Sequence, residues 1–291
     1  MTGERTTPVG ATPRWSTLGA VPAGPPAVDV ERVAFAESAV AAILWLNRPE
    51  ALNAISWQMV LELEAALKAA DADPLVCTVL IAGRGRGFSA GGDLKAYLTL
   101  QDEPAAFNQF VSDLHRTFAS IRSMSKPVVA LVNGVTAAGG LELLLACDFA
   151  WAARSARIGD LHLNYGQIGG GGVLTLLPRM IGPAKARELV FSARLLDAEE
   201  ALDWGLVNRV VPDDELLAAG LELARGVAEK SPRCLAVSKD VLNRGLAEGT
   251  GTDAALRLEA DATSLYCASY PDSREGLTAF AEGRKPKFTG R

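Results

Sequence analysis

Metal-holding residues are scarce in this chain. Its 291 residues include two histidines, His115 and His162, and four cysteines, Cys77, Cys147, Cys234 and Cys267. No CxxC pair occurs and the histidines stand far apart, so no zinc-site spacing is present. The cysteines read as reduced thiols packed as small hydrophobes, the usage of a cytosolic protein. Long apolar runs are missing too. Stretches such as Leu143 to Ala146 fall far short of the ~20 residues that a bilayer requires, which argues against a membrane span. Positive charge is also in short supply. Lys and Arg number 29 against 34 Asp and Glu, a net charge of -5. With a pI near 5.3, the balance argues against a dedicated nucleic-acid binder, which needs a basic face. A local basic pocket for a phosphorylated ligand remains compatible with it. Residues 1–27 hold five prolines and no apolar core of a signal peptide, so they read as a flexible Pro-rich arm.

What is present is a large supply of core. Hydrophobic residues make up 49% of the chain, enough for one large domain with an appendage. Val28 to Phe35 and Ala39 to Leu46 read as paired strands. Ser56 is a candidate N-cap for a helix reaching Ala70, with Val60, Leu63 and Leu67 on one face. Val76 to Ala82 and Val128 to Val132 read as buried strands, with a helix over 105–123 between them. Phe149 to Ala153, Ala156 to Ile158 and Asn208 to Val211 are short strands. Asp197 caps a helix that Gly205 stops. Helices at about 213–230, 232–246, 252–269 and 273–283 finish the chain. No internal sequence repeat stands out. The pattern predicts an α/β core over 28–212 and a helical region over 213–291.

Two glycine-rich loops follow apolar strands: Gly87-Phe88-Ser89-Ala90-Gly91-Gly92-Asp93-Leu94-Lys95 and Asn133-Gly134-Val135-Thr136-Ala137-Ala138-Gly139-Gly140-Leu141-Glu142. Glycine lets backbone approach a ligand closely and turn its N–H groups freely. Two such loops can aim two amides at one carbonyl oxygen, the geometry of an oxyanion hole. Either loop alone could equally be a tight turn. Glu142 sits in a run apolar nearly all round, so its helix should be buried. Desolvation raises a carboxyl pKa and suits it to general acid–base work. A salt-bridged structural glutamate is the alternative.

Taken together, these segments resemble the crotonase superfamily of enoyl-CoA hydratases and isomerases. The likeness rests on Leu46-Asn47-Arg48-Pro49-Glu50-Ala51-Leu52-Asn53-Ala54, on the Gly87–Lys95 loop, on Lys126-Pro127-Val128-Val129-Ala130, and on Gly139–Glu142 with Cys147-Asp148. The tail, from Arg274-Glu275-Gly276 to Phe280 with Arg284-Lys285-Pro286, adds to it. The match covers about residues 28–291 in order. The resemblance implies a spiral of ββα units with a C-terminal helical trimerisation region. It implies an acyl-CoA substrate, a trimer or hexamer of this chain, and no metal or redox cofactor. Gly92 and Gly139 would supply the oxyanion amides. Ala90 would lie beside the CoA adenine, and Asp93, Leu94 and Lys95 would follow the pantetheine. Glu142 matches one of the two hydratase glutamates.

The chain departs from the pattern at the second glutamate. The corresponding turn reads Ile158-Gly159-Asp160-Leu161-His162, which puts His162 at that position. Three readings stand: His162 replaces the glutamate, Asp160 reaches in instead, or Glu142 acts alone. Asn164, Tyr165 and Gln167 hint at a substrate more polar than a plain fatty acyl chain, or cap a loop. His115 reads as a surface or core-edge residue. Arg284 to Lys287 is either a solvated tail or a contact to CoA phosphates. The resemblance points first to hydration of a 2-enoyl-CoA in cytoplasmic fatty-acid metabolism. Isomerase, lyase and CoA-thioester hydrolase follow within the superfamily. A non-catalytic CoA-binding protein is the rival of another class; RNA binding, a third, is opposed by the acidic balance.

Overall fold

The computed structural model describes residues 25–36, 39–247 and 249–290. Of the arm expected at 1–27, residues 1–24 lie outside that range. Pro25 and Pro26 are exposed, and Ala27 is buried. The amides of Ala27 and Val28 donate to Glu62 Oε2 at 2.7 and 2.9 Å.

The chain opens with β1 (Val28–Ala36) and β2 (Ala39–Leu46), an antiparallel pair. α1 (Trp57–Ala72) follows, capped as expected by Ser56, whose Oγ accepts from the Met59 amide at 3.2 Å. Three units of one form come next. β3 (Val76–Gly83) leads to β4 (Gly87–Ser89), then α2 (Leu94–Gln101) and α3 (Pro104–Ser123). β5 (Val128–Val132) leads to β6 (Val135–Ala137) and α4 (Gly139–Ala146). β7 (Phe149–Ala153) leads to β8 (Arg157–Gly159), α5 (Val173–Ile181) and α6 (Pro183–Ser192). β9 (Leu195–Asp197), α7 (Ala198–Asp203) and β10 (Arg209–Val211) complete the strands. α8 (Leu216–Ala228), α9 (Pro232–Gly245), α10 (Thr252–Ser269) and α11 (Pro271–Ala281) end the chain.

Each ββα unit gives its long first strand to one sheet and its three-residue second strand to another. The large sheet has the order β1-β2-β3-β5-β7-β10, parallel from β2 onward. The small sheet has the order β4-β6-β8-β9. The repeat lies in this topology, and its short second strands explain why the sequence does not display it. Parallel strands buried on both faces read as continuous apolar runs, as Val128 to Val132 does.

Side-chain alternation divides the core. Ala42, Leu44, Val79, Ile81, Val128 and Ala130 join the cluster under α1, α3 and α4. Their neighbours Ile43, Leu80, Val129 and Leu131 face the other way, onto Leu216 of α8. The helical region expected from 213 thus has its first helix against the sheet. α9 is pinned to the core by Lys239. Its Nζ donates to the Ile121 and Lys126 carbonyls, each at 2.9 Å, and to Asp148 Oδ2 at 2.8 Å.

Candidate active site

The turns after β4 and β6 meet at one end of the small sheet. They touch so closely that side chains are excluded. A Cβ on Gly140 would lie 2.2 Å from the Ser89 carbonyl oxygen, and one on Gly91 would lie 2.9 Å from the Ala138 Cβ. Both turns need unusual backbone: φ is +102° at Gly91 and +48° at Ala138. For alanine, with its Cβ, that conformation is strained.

This contact sets two amides side by side. Ile55 donates to the Gly91 carbonyl at 2.7 Å, and Asp93 donates to the Ile55 carbonyl at 3.0 Å. Gly92, lying between them, keeps its own N–H outside the bridge. Gly139 is the first residue of α4, where helix amides have no internal acceptor. Among the described residues neither N–H meets an acceptor. A Cβ on Gly139 would stand 3.6 Å from the Gly92 nitrogen. Two free donors on neighbouring turns can hold one oxygen.

The Leu46–Ala54 segment braces the first donor. Arg48 reaches the Ala54 carbonyl at 2.6 Å and Asp93 at 2.8 Å. Asn53, fully buried, accepts from the Arg48 amide and donates to the Arg84 and Gly87 carbonyls. Asp93 also caps α2 through the Ala96 amide at 3.2 Å. Its pKa lies below the ordinary carboxylate range: desolvation would raise it, but Arg48 and the Ala96 amide outweigh that.

A cavity of about 480 Å³ opens from the two amides. Phe107, Phe110, Val111 and Leu114 of α3 supply its apolar wall. Glu142 and His162 supply the reactive side chains. Glu142 lies one turn into α4 and is 1% exposed. Its Oε1 accepts from the amides of Gly171 and Val173, at 2.7 and 3.3 Å. Among the described residues Oε2 has no donor. Burial raises the Glu142 pKa; the nearby His162 charge and the two amides offset this in part. The 169–172 glycines let the backbone close over this carboxyl. A Cβ on Gly169 would fall 2.6 Å from Glu142 Oε1 and 3.1 Å from His162 Cε1.

His162 opens a short 3-10 turn over His162–Tyr165. Its Nδ1 lies 2.5 Å from Oδ1 of Asp160, which is 2% exposed. The imidazole pKa is raised. Desolvation alone would lower it, but the Asp160 hydrogen bond and charge, with Glu142, outweigh burial. Asp160 and His162, rivals in the sequence, form one pair. It leaves Nε2 as the nitrogen free to exchange a proton.

Among the described residues, no group of three or more metal-ligating side chains is clustered, and no helix is long and apolar enough to cross a membrane. The enoyl-CoA hydratase/isomerase family model matches residues 36–291. A crotonyl-CoA hydratase of Syntrophomonas wolfei is 38% identical over 248 residues, 85% of this chain and 94% of that protein. The chain belongs to the enoyl-CoA hydratase/isomerase family. A short-chain-enoyl-CoA hydratase of Clostridium acetobutylicum is 31% identical over 259 residues, 89% of this chain and 97% of that protein. Among solved structures, an enoyl-CoA hydratase of Bacillus anthracis superposes with a TM-score of 0.83 at 31% identity. It covers 90% of this chain and 99% of its own. The crotonase fold is thereby established.

Of the residues expected at the site of this family member, Ala90, Gly92, Leu94, Gly139, Glu142 and His162 line the cavity. Asp93 and Lys95 are not among its lining residues, and Asp93 is engaged with Arg48 and the α2 cap. Tyr165 and Gln167 line it, whereas Asn164 donates to the Ala193 carbonyl. His115 is exposed on α3. Arg284 pairs with Glu275 and Glu282 within its own tail. Tyr97, Phe107 and Phe110 were missed as site residues. Their apolar spacing reads as ordinary core.

Proposed function

We propose that this family member adds water across the 2,3 double bond of a 2-enoyl-CoA. The observation that carries the reading is one cavity lined both by Gly92 and Gly139, whose amides have no acceptor among the described residues, and by Glu142 and the Asp160-paired His162. The thioester oxygen sits between the Gly92 and Gly139 amides. These draw electron density from the double bond and stabilise the enolate as it forms. Glu142, a carboxylate made more basic by burial, takes a proton from water through Oε2 while the hydroxyl oxygen bonds to C3. His162, whose imidazolium form the Asp160 carboxylate favours, gives its Nε2 proton to C2. Proton return from Glu142 to His162 resets the site. The sum is one water consumed and one 3-hydroxyacyl-CoA formed.

Names of the relatives, crotonyl-CoA hydratase and short-chain-enoyl-CoA hydratase among them, support the substrate class. The reaction moves no electrons between carriers, so we assign it no cofactor beyond the coenzyme A of the substrate. We also propose a homo-oligomer, trimer or hexamer, formed through the C-terminal helices. They leave Leu256, Leu265, Leu277 and Phe280 exposed, the last at 87%. We place the protein in the cytoplasm, in fatty-acid metabolism.

The test follows the conjugated thioester absorbance of crotonyl-CoA and of one longer enoyl-CoA. Loss of the band with 3-hydroxyacyl-CoA in the mass spectrum is the expected result. A stable band in the presence of bound thioester overturns hydration and favours an isomerase, lyase or hydrolase of the same family.

A further inference from the structure

The Tyr97 side chain brings a further polar group to the cavity. The Tyr97 hydroxyl makes no hydrogen bond among the described residues, although the side chain lines the cavity. Its position is tightly set. Tyr97 lies in the first turn of α2, its amide donating to the Asp93 carbonyl at 2.9 Å. The ring packs edge-on against Phe107 and Phe110, with centroids 6.0 and 5.2 Å apart. Its hydroxyl end lies over Gly92: a Cβ built on that glycine would stand 2.5 Å from Oη. Burial first, then the charges of Glu142 and Asp93, keep the phenol protonated well above its ordinary range. A neutral phenol is a donor, and tyrosine hydroxyls in buried settings usually have an acceptor. Here a ligand in the cavity can supply the acceptor.

We propose that Tyr97 is a further catalytic residue, whose hydroxyl donates a hydrogen bond to the thioester oxygen beside the Gly92 amide. The inference rests on the acyl-CoA reading of this cavity. The bond strengthens as charge moves onto that oxygen. The phenol keeps its proton throughout, and no covalent bond forms or breaks at Tyr97. A Cβ at residue 92 would meet the phenol ring end and push it from this position.

The test compares wild type with Tyr97→Phe, which keeps both ring contacts. The probe is acetoacetyl-CoA, a β-keto thioester whose enolate absorbs in the near ultraviolet. On wild type the enolate band is titrated at saturating ligand. In Tyr97→Phe the apparent enolisation pKa of the bound ligand rises by about one unit, a tenfold weaker hold on the enolate. Glu142 and His162 in the cavity, with Asp93 and Asp160 beside it, are the same in both proteins, so the difference isolates the hydroxyl. Affinity for a saturated acyl-CoA stays the same. With an enoyl-CoA substrate kcat falls about tenfold and KM holds, the signature of a contact made in the transition state. An unchanged enolisation pKa overturns the proposal. So does an equal loss of affinity for saturated and enolised ligands, which would mark a pocket-lining residue. A wild-type chain that holds the enolate but adds no water refutes the hydratase reading and leaves the Tyr97 assignment standing. A wild-type chain that holds no enolate overturns the assignment itself.

Discussion

Replacing Glu142 by glutamine should separate what this residue does for the reaction from what it does for the fold. The shape is conserved, and the amide oxygen can still accept from Gly171 and Val173, which now hold Oε1 at 2.7 and 3.3 Å. The basic Oε2 is lost. A positioned base contributes about 10²–10⁴-fold, so kcat should fall at least a hundredfold, or about 2.7 kcal/mol of barrier. KM should change little. Stability should move the other way. The folded-state pKa of Glu142 lies above its ordinary value of 4.5, chiefly through burial. Between those two values the folded chain binds more protons than the unfolded chain. Stability therefore falls as pH rises through that window, and the deficit persists at neutral pH. The glutamine variant carries no such charge, so its Tm at pH 7 should equal or exceed that of wild type. Steady-state kinetics with an enoyl-CoA and a thermal melt in one buffer decide the matter. Activity within about threefold of wild type would refute the base assignment, given what such groups contribute. A lower Tm with full loss of activity would show that Glu142 is structural.

Other expectations follow from the same geometry. Asp160→Asn removes the charge that raises the His162 pKa, so the alkaline limb of kcat/KM should move to lower pH; an unmoved limb excludes His162 as the proton donor. Gly169→Ala places a Cβ 2.4 Å from Val173 Cγ1 and 2.6 Å from Glu142 Oε1. It should cost about 1–3 kcal/mol in urea unfolding and lower kcat at least tenfold, as a displaced base would. Lys239→Met strips the Ile121 and Lys126 carbonyls and Asp148 of a shared, nearly buried partner. A loss of about 3 kcal/mol is expected from equilibrium denaturation, with catalysis intact in the folded fraction; a loss under about 1 kcal/mol would count against the pin.

Long-period features of the fold were legible in the sequence. The β1–β2 pair, the buried strands β3 and β5, the Ser56 cap of α1 and the Asp197 cap of α7 all follow from pattern and capping chemistry. Of the small sheet only β8 was legible, as the short strand expected over Ala156 to Ile158. β4, β6 and β9 are three residues each, too short for alternation to register, and the first two run through glycine-rich segments that read as loops. α2 was hidden for a similar reason, being eight residues with none fully buried. Glu142 stood out because a carboxyl in an apolar helix is costly. Asp160 and His162 stood out separately, but only the 3-10 turn that begins at His162 makes them one unit. Tyr97 gave no signal, since its meaning depends on Gly92 lying under its hydroxyl.

The proposed oxyanion donors and the proposed proton carriers differ in how sequence change can reach them. Gly92 and Gly139 act through peptide N–H groups, which almost any residue retains, and what specifies them is the steric fit of two turns where Gly140 meets Ser89. Glu142 and His162 act through side chains, and a single codon change rewrites either. The molecule thus has a conservative half and a permissive half. On the proposed assignment charge stabilisation rests mainly on backbone shape, with the Tyr97 hydroxyl as a side-chain donor beside it, while the acid–base set is carried by side chains alone. The His162–Asp160 pair stands where the resemblance to the crotonase superfamily implies a glutamate.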